Sequence, residues 1–164
     1  MTSCPSVTLL QDSKFETGVM IAGCCIAIAS LVPVAMYQTG VIQHLPDPPA
    51  EVFDSDTITS SREAHPFGIP DSLLGVASFG TTLALILASR RSMAARRLLA
   101  AKLVADATVA AFNATRQVVS FGKLCSWCTV TALSAGVTAY GGRDAIRAAV
   151  GEAKGFVRSG GSRG

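Results

Sequence analysis

Four stretches of this chain are long and apolar enough to cross a lipid bilayer, and that constrains the fold more than any single motif. A bilayer core offers no partner for backbone N–H and C=O groups, so a spanning segment must satisfy them internally. A helix of roughly 20 mostly apolar residues does so. The stretches cover about residues 19–37, 72–89, 98–119 and 124–140. In a chain of 164 residues, 49% hydrophobic and only 15% charged, they leave little else to fold. The expectation is all-α: a polytopic membrane protein whose four-transmembrane-helix bundle occupies 19–142, between a short tail at 1–18 and a basic tail at 143–164.

Local chemistry shapes each stretch. The first carries no charge, and Pro33 is expected to kink it near its far end. Its apolar run exceeds a signal-peptide core, and Pro33 stands in the wrong place for cleavage after Ala35, so it reads as a permanent helix. The second follows Pro70, with Asp71 or Ser72 expected to cap it. The fourth stops at Gly141 and Gly142. The third contains Lys102, Asp106, Asn113 and Arg116 at helical spacing, which turns one polar face away from lipid. Lys102 and Asp106 stand at i,i+4, and a helix-packing ion pair near the cytoplasmic end is preferred over a proton path.

Charge sets the orientation, because Lys and Arg are retained on the cytoplasmic side during insertion. Arg90, Arg91, Arg96 and Arg97 lie between the second and third stretches, and Arg143, Arg147, Lys154, Arg158 and Arg163 follow the fourth. Both termini are therefore expected inside and the loop at 38–70, which is acidic, outside. Such a protein belongs in a bacterial inner (cytoplasmic) membrane. The net charge of +3 is absorbed by topology, with no aromatic interleaving to suggest nucleic acid. Pro46, Pro48 and Pro49 stiffen the start of the loop, while Phe53, Ile58, Phe67 and Ile69 are expected to anchor it over the mouth of the bundle. The glycine- and serine-rich end at 159–164 is expected to fray.

Of five cysteines, Cys125 and Cys128 form a C-x-x-C at the start of the fourth helix, on the outer side. Two thiols at that spacing close a small-ring disulfide, and the helix's positive end favours a thiolate at Cys125. An oxidising compartment suits thiol–disulfide exchange there. Half of a metal site and an inert disulfide are the competing readings, though no histidine or second cysteine pair is suitably spaced for a metal. Cys24 and Cys25 read as small apolar fillers, and Cys4 carries no assignment.

The order of helix, long outer loop, helix, basic inner loop, helix, and a last helix opening with Leu124-Cys125-Ser126-Trp127-Cys128-Thr129 resembles the vitamin K epoxide reductase family of membrane thiol oxidoreductases. Asp71-Ser72-Leu73-Leu74-Gly75 is similar to that family's [Asn/Asp]-Ser-x-x-Gly. The resemblance implies a bundle enclosing a quinone (ubiquinone or menaquinone). Cys128 would face the quinone ring, Cys125 would exchange with a partner thiol, and Asp71 and Trp127 would be quinone contacts. Two departures matter. The loop at 38–70 lacks the cysteine pair that family members use as a shuttle, and a tyrosine of vertebrate members is Ala132 here, so vitamin K epoxide is not carried over as substrate.

The functional expectation is a membrane thiol–disulfide oxidoreductase coupling Cys125 and Cys128 to a quinone, in support of disulfide formation in extracytoplasmic proteins. Lacking a loop pair, it requires a separate thioredoxin-like or other thiol protein. The alternative is a non-catalytic bundle that binds quinone or lipid, or serves as a subunit of a larger membrane complex.

Overall fold

The computed structural model describes residues 5–160, with side chains placed over 14–154. Six α-helices follow in order: α1 (Pro5–Gln38), α2 (Ser55–Thr59), α3 (Asp71–Ser89), α4 (Met93–Phe121), α5 (Ser126–Gly141) and α6 (Arg143–Gly160). Two short 3₁₀ turns, Arg62–Ala64 and Pro66–Gly68, lie between α2 and α3. Among the described residues there is no strand, only a parallel bridge between Phe53 and Leu124.

The bundle is organised around α1, which packs chiefly on α5 and α3. Met20, Cys24, Ala27 and Leu31 recur every three or four residues, so one α1 stripe faces the core. It meets Phe79 and Ile86 of α3, Leu99 and Leu103 of α4, and Ala135 of α5. The α1–α5 approach depends on Gly23, where an added Cβ would lie 2.2 Å from Thr138 Oγ1. Small residues let helices approach closely where lipid gives no hydrophobic drive to associate. Ser30 and Thr131 add a hydroxyl pair at 2.8 Å across the same seam.

Three helical segments have the length and composition to cross a membrane: Lys14–Gln38, Asp71–Ser89 and Met93–Phe121. The outward faces carry Ile26, Leu87, Val109, Phe112, Leu133 and Val137 exposed, a surface suited to lipid. The stretch expected as a fourth span forms a helix, α5, of 16 residues, roughly 24 Å long. It begins after Cys125, because Leu124 pairs as extended chain with the loop.

The helices extend beyond the apolar stretches. Helix α1 starts at Pro5, so residues 5–18 of the expected tail are helical, and it contains Pro33. Residues 143–160, within the stretch expected as a basic tail, form α6, which packs on α4. A search for bilayer-length apolar runs overlooks it, since Ile146, Ala149, Val150 and Ala153 give an i, i+3, i+4, i+7 stripe on a helix otherwise polar. Cys4 and residues 161–164 lie outside the described residues. Neither Asp71 nor Ser72 precedes α3 as its cap: Pro70 does, and both side chains turn to Gln38 instead. Cys24 is fully buried as expected of a filler, whereas Cys25 is exposed.

The segment 39–70 does fold over one end of the bundle, and of the expected anchors Ile58 is buried there. Leu45, Ile58 and Ala64 are buried, while Phe67 and Ile69 are exposed. Phe67 sits at a φ of 58°, a backbone conformation unusual for a bulky residue, in a turn that holds its ring outward. Lys102 and Asp106 pair as expected, and Ser78 and Thr82 complete the network: Lys102 Nζ donates to Ser78 Oγ at 2.7 Å and Thr82 Oγ1 to Asp106 Oδ2 at 2.7 Å. That network faces the middle of α3, not its basic end.

Candidate active site around the cysteine pair

Helix α4 ends at Gly122, whose φ of 61° reverses the chain as only glycine does readily. Lys123 to Cys125 then run extended into α5. Leu124 N–H donates to Val52 O at 2.8 Å, and Asp54 N–H donates to Leu124 O at 3.0 Å. The loop is thereby laid along the residues just before the helix.

Cys125 is the N-cap of α5, and its Sγ accepts the N–H of Cys128 at 3.1 Å, the place a serine or aspartate oxygen usually fills. Its own N–H donates to Gln117 Oε1 of α4 at 3.0 Å. The covering segment seals it completely: Cys125 and Ser55 are each 0% exposed. Both cysteines are unbridged thiols.

The residues between the cysteines fasten the cover. Ser126 N–H donates to Ser55 Oγ at 3.1 Å, and Ser126 Oγ donates to Asp47 Oδ1 at 2.5 Å. Asp47 also accepts Ser55 Oγ at 2.6 Å and Ser55 N–H at 2.7 Å. Partial burial works against ionising Asp47, but the hydroxyls of Ser126 and Ser55 and the Ser55 N–H outweigh it and hold the carboxyl below the ordinary aspartate range. Trp127 Nε1 donates to Pro46 O at 3.1 Å.

Cys128, one turn into α5, borders a cavity of about 20 Å³ shared with Asp71, Asn113, Arg116, Gln117 and Phe121. Ile58, Thr59 and Ala64 of the covering segment close it. Asp71 Oδ1 accepts Gln38 Nε2 at 2.9 Å. The same amide donates to Thr59 O at 3.0 Å and Ala64 O at 3.3 Å, tying the end of α1 to α2, the first 3₁₀ turn and α3. Arg116 has no ion pair among the described residues.

The structure thus brings Cys125, Cys128 and Asp71 to one place and leaves Trp127 on the cover, outside the lining of the cavity. It adds Gln117, Gln38, Asp47 and Ser55, which the sequence reading did not single out. Only Gln117 left a readable sign: it stands four residues after Asn113, on the polar stripe that continues to Arg116. A larger apolar groove of about 320 Å³ between α1 and α5 is lined by residues such as Val19, Gly23, Leu133 and Val137, with no titratable group, so thiol chemistry does not belong there.

Among known protein families, residues 18–140 match the one described as the Vitamin K epoxide reductase family. No curated protein and no solved structure matches the chain.

Proposed function

The chain belongs to the vitamin K epoxide reductase family, membrane thiol oxidoreductases that use a quinone as electron partner, and from that premise we propose that Cys125 and Cys128 are the redox pair of a quinone-linked enzyme supporting disulfide formation in extracytoplasmic proteins. It is an integral membrane protein. The observation that carries the reading is the placement of Cys128 on a cavity with Asp71, Asn113, Arg116 and Gln117, while Cys125 points to the cover and caps the helix.

The lining suits a quinone head group chemically. Asn113, Arg116 and Gln117 offer N–H donors for carbonyl oxygens, and Ile58 and Phe121 offer apolar contacts. About 20 Å³ is close to the room one water needs, so a ring enters only when residues 58–64 shift outward. A bound quinone, ubiquinone or menaquinone, takes up two electrons and two protons, which are what the two thiols release as their S–S bond forms. In the other half of the cycle a partner thiolate attacks Cys125 and breaks the S–S bond, and Cys128 leaves as the thiolate. The partner's second thiol then attacks the mixed disulfide, the partner is oxidised, and Cys125 is released reduced. Because the covering segment 38–70 has no cysteine, the partner is a separate thioredoxin-like or other thiol protein.

The topology proposed with it has four crossings, α5 included, both termini in the cytoplasm of a bacterium and 38–70 outside the cytoplasmic membrane, since the basic residues cluster at the other end. A probe at Glu51 should label from outside intact cells. Labelling only after permeabilisation would place the cysteines on the reducing side. Anaerobic thiol trapping with added quinone should show Cys125 and Cys128 becoming oxidised, and Cys128→Ser should abolish turnover. A pair whose redox state ignores quinone would sink the enzymatic reading.

One observation favours a second reading. Cys125 is sealed by a hydrogen-bonded cover and the cavity is small, which also describes a retired site in a bundle kept as a subunit of a membrane complex. Stoichiometric partners copurifying in mild detergent would support it.

A further inference from the structure

Breaking the Cys125–Cys128 disulfide leaves negative charge on Cys128, and in a membrane that charge needs a hydrogen-bond donor. The nearest backbone donor is spent: the N–H of Cys128 points to Cys125 Sγ at 3.1 Å. The donor must come from another helix. Gln117 of α4 is buried, at 8% exposed, and borders the same cavity as Cys128. Its amide orientation is fixed by chemistry. The N–H of Cys125 is a donor, so the group 3.0 Å from it is the amide oxygen, and the NH₂ lies on the other side. Gln117 and Cys128 line the same cavity of about 20 Å³, which that NH₂ and the Cys128 sulfur therefore share.

We infer that Gln117 is the positioning residue of the pair: its oxygen holds the backbone of Cys125 in the N-cap conformation while its NH₂ holds the sulfur of Cys128. One neutral side chain thereby makes the two sulfurs unequal, Cys125 drawing on the helix terminus and Cys128 on α4. The inference rests on reading Cys125 and Cys128 as a redox pair. Other charged or titratable groups facing Cys128 are Asp71 from α3, Arg116 from α4 and Cys125 itself, with His65 of the covering segment near Asp71. Asp71 repels a thiolate, and Arg116 is the competing donor.

The test uses the full chain with Cys125→Ser, so that Cys128 is read alone, and follows its alkylation by N-ethylmaleimide across pH by peptide mass spectrometry. Gln117→Glu keeps length and the acceptor for residue 125 but, once its carboxyl is ionised at alkaline pH, has no donor. Labelling of Cys128 should fall about tenfold, the size of one hydrogen bond to a charged group. The pH profile should move upward with Tm little changed. Gln117→Met, lacking donor and acceptor, should give the same loss with a lower Tm. Wild-type labelling in Gln117→Glu, or the same loss in Arg116→Gln alone, overturns the inference. The measurement needs no quinone and no partner, so a protein that shows the loss yet never reacts with quinone would fail the proposed function and keep the role of Gln117.

Discussion

Replacing Asp47 by alanine should loosen the cover over Cys125 without unfolding the bundle. Asp47 accepts three hydrogen bonds, from the N–H and hydroxyl of Ser55 and the hydroxyl of Ser126. Both hydroxyls can rotate to other acceptors, but the N–H of fully buried Ser55 cannot. An unsatisfied buried donor costs about 1–3 kcal/mol. Taking about 2 kcal/mol, the open population rises about 30-fold, at 1.36 kcal/mol per factor of ten. The Leu124 backbone bonds and the Trp127–Pro46 bond persist, which keeps the opening local. Labelling of Cys125 by a small methanethiosulfonate, in a Cys128→Ser background, tracks that population when reclosing outpaces labelling. The sign with pH follows from the depressed carboxyl. Its stabilisation is complete above the ordinary aspartate value of 3.8 and is lost only as pH falls through the lower folded value. With Asp47 present, opening should therefore be flat through neutral pH and rise only in strong acid, and Asp47→Ala should erase that rise. A labelling rate within about twofold of the parent at neutral pH would show that the Asp47 contacts do not hold the cover.

Three further outcomes follow from the packing. Gly23→Val should lower thermal stability in detergent by about 1–3 kcal/mol, because the new Cβ meets Thr138 Oγ1 and the Ser134 carbonyl, and Thr138→Ala should restore part of the loss. Lys102→Met should cost about 3–5 kcal/mol by stranding Asp106, whereas Lys102→Met with Asp106→Leu should come close to wild type in the same melt. Gln38→Ala should speed amide exchange at Ser72 and over 55–64 and leave α4 protected, since its amide bonds to Thr59, Ala64, Asp71 and Ser72; uniform exchange throughout would discount it as a local tie.

Much of the helical frame was legible because lipid permits few solutions. Apolar runs at 19–37, 72–89, 98–119 and 124–140 lie inside or against α1, α3, α4 and α5, displaced by a few residues at most ends. The large misses have one cause. Arg96 and Arg97 lie within α4, and residues 5–18 and 143–160 are helical, none of which continuous hydropathy registers, because it detects lipid contact and not helicity; Ser92 caps α4 ahead of those arginines.

Spacing along a few turns of chain was enough to place the four apolar helices and the cysteine pair at its helix start. Tertiary structure decided which groups surround that pair. Ser126 meets Ser55 across 71 residues and Asp47 across 79, and Cys125 meets Gln117 across a reversal at Gly122. Trp127, which lies between the two cysteines in the chain, turned to Pro46, because neighbouring side chains on a helix face different directions. Phe67, expected to anchor the cover, is exposed while Leu45 of the same segment is buried: apolarity allows burial, and only the path of the backbone chooses which residue receives it.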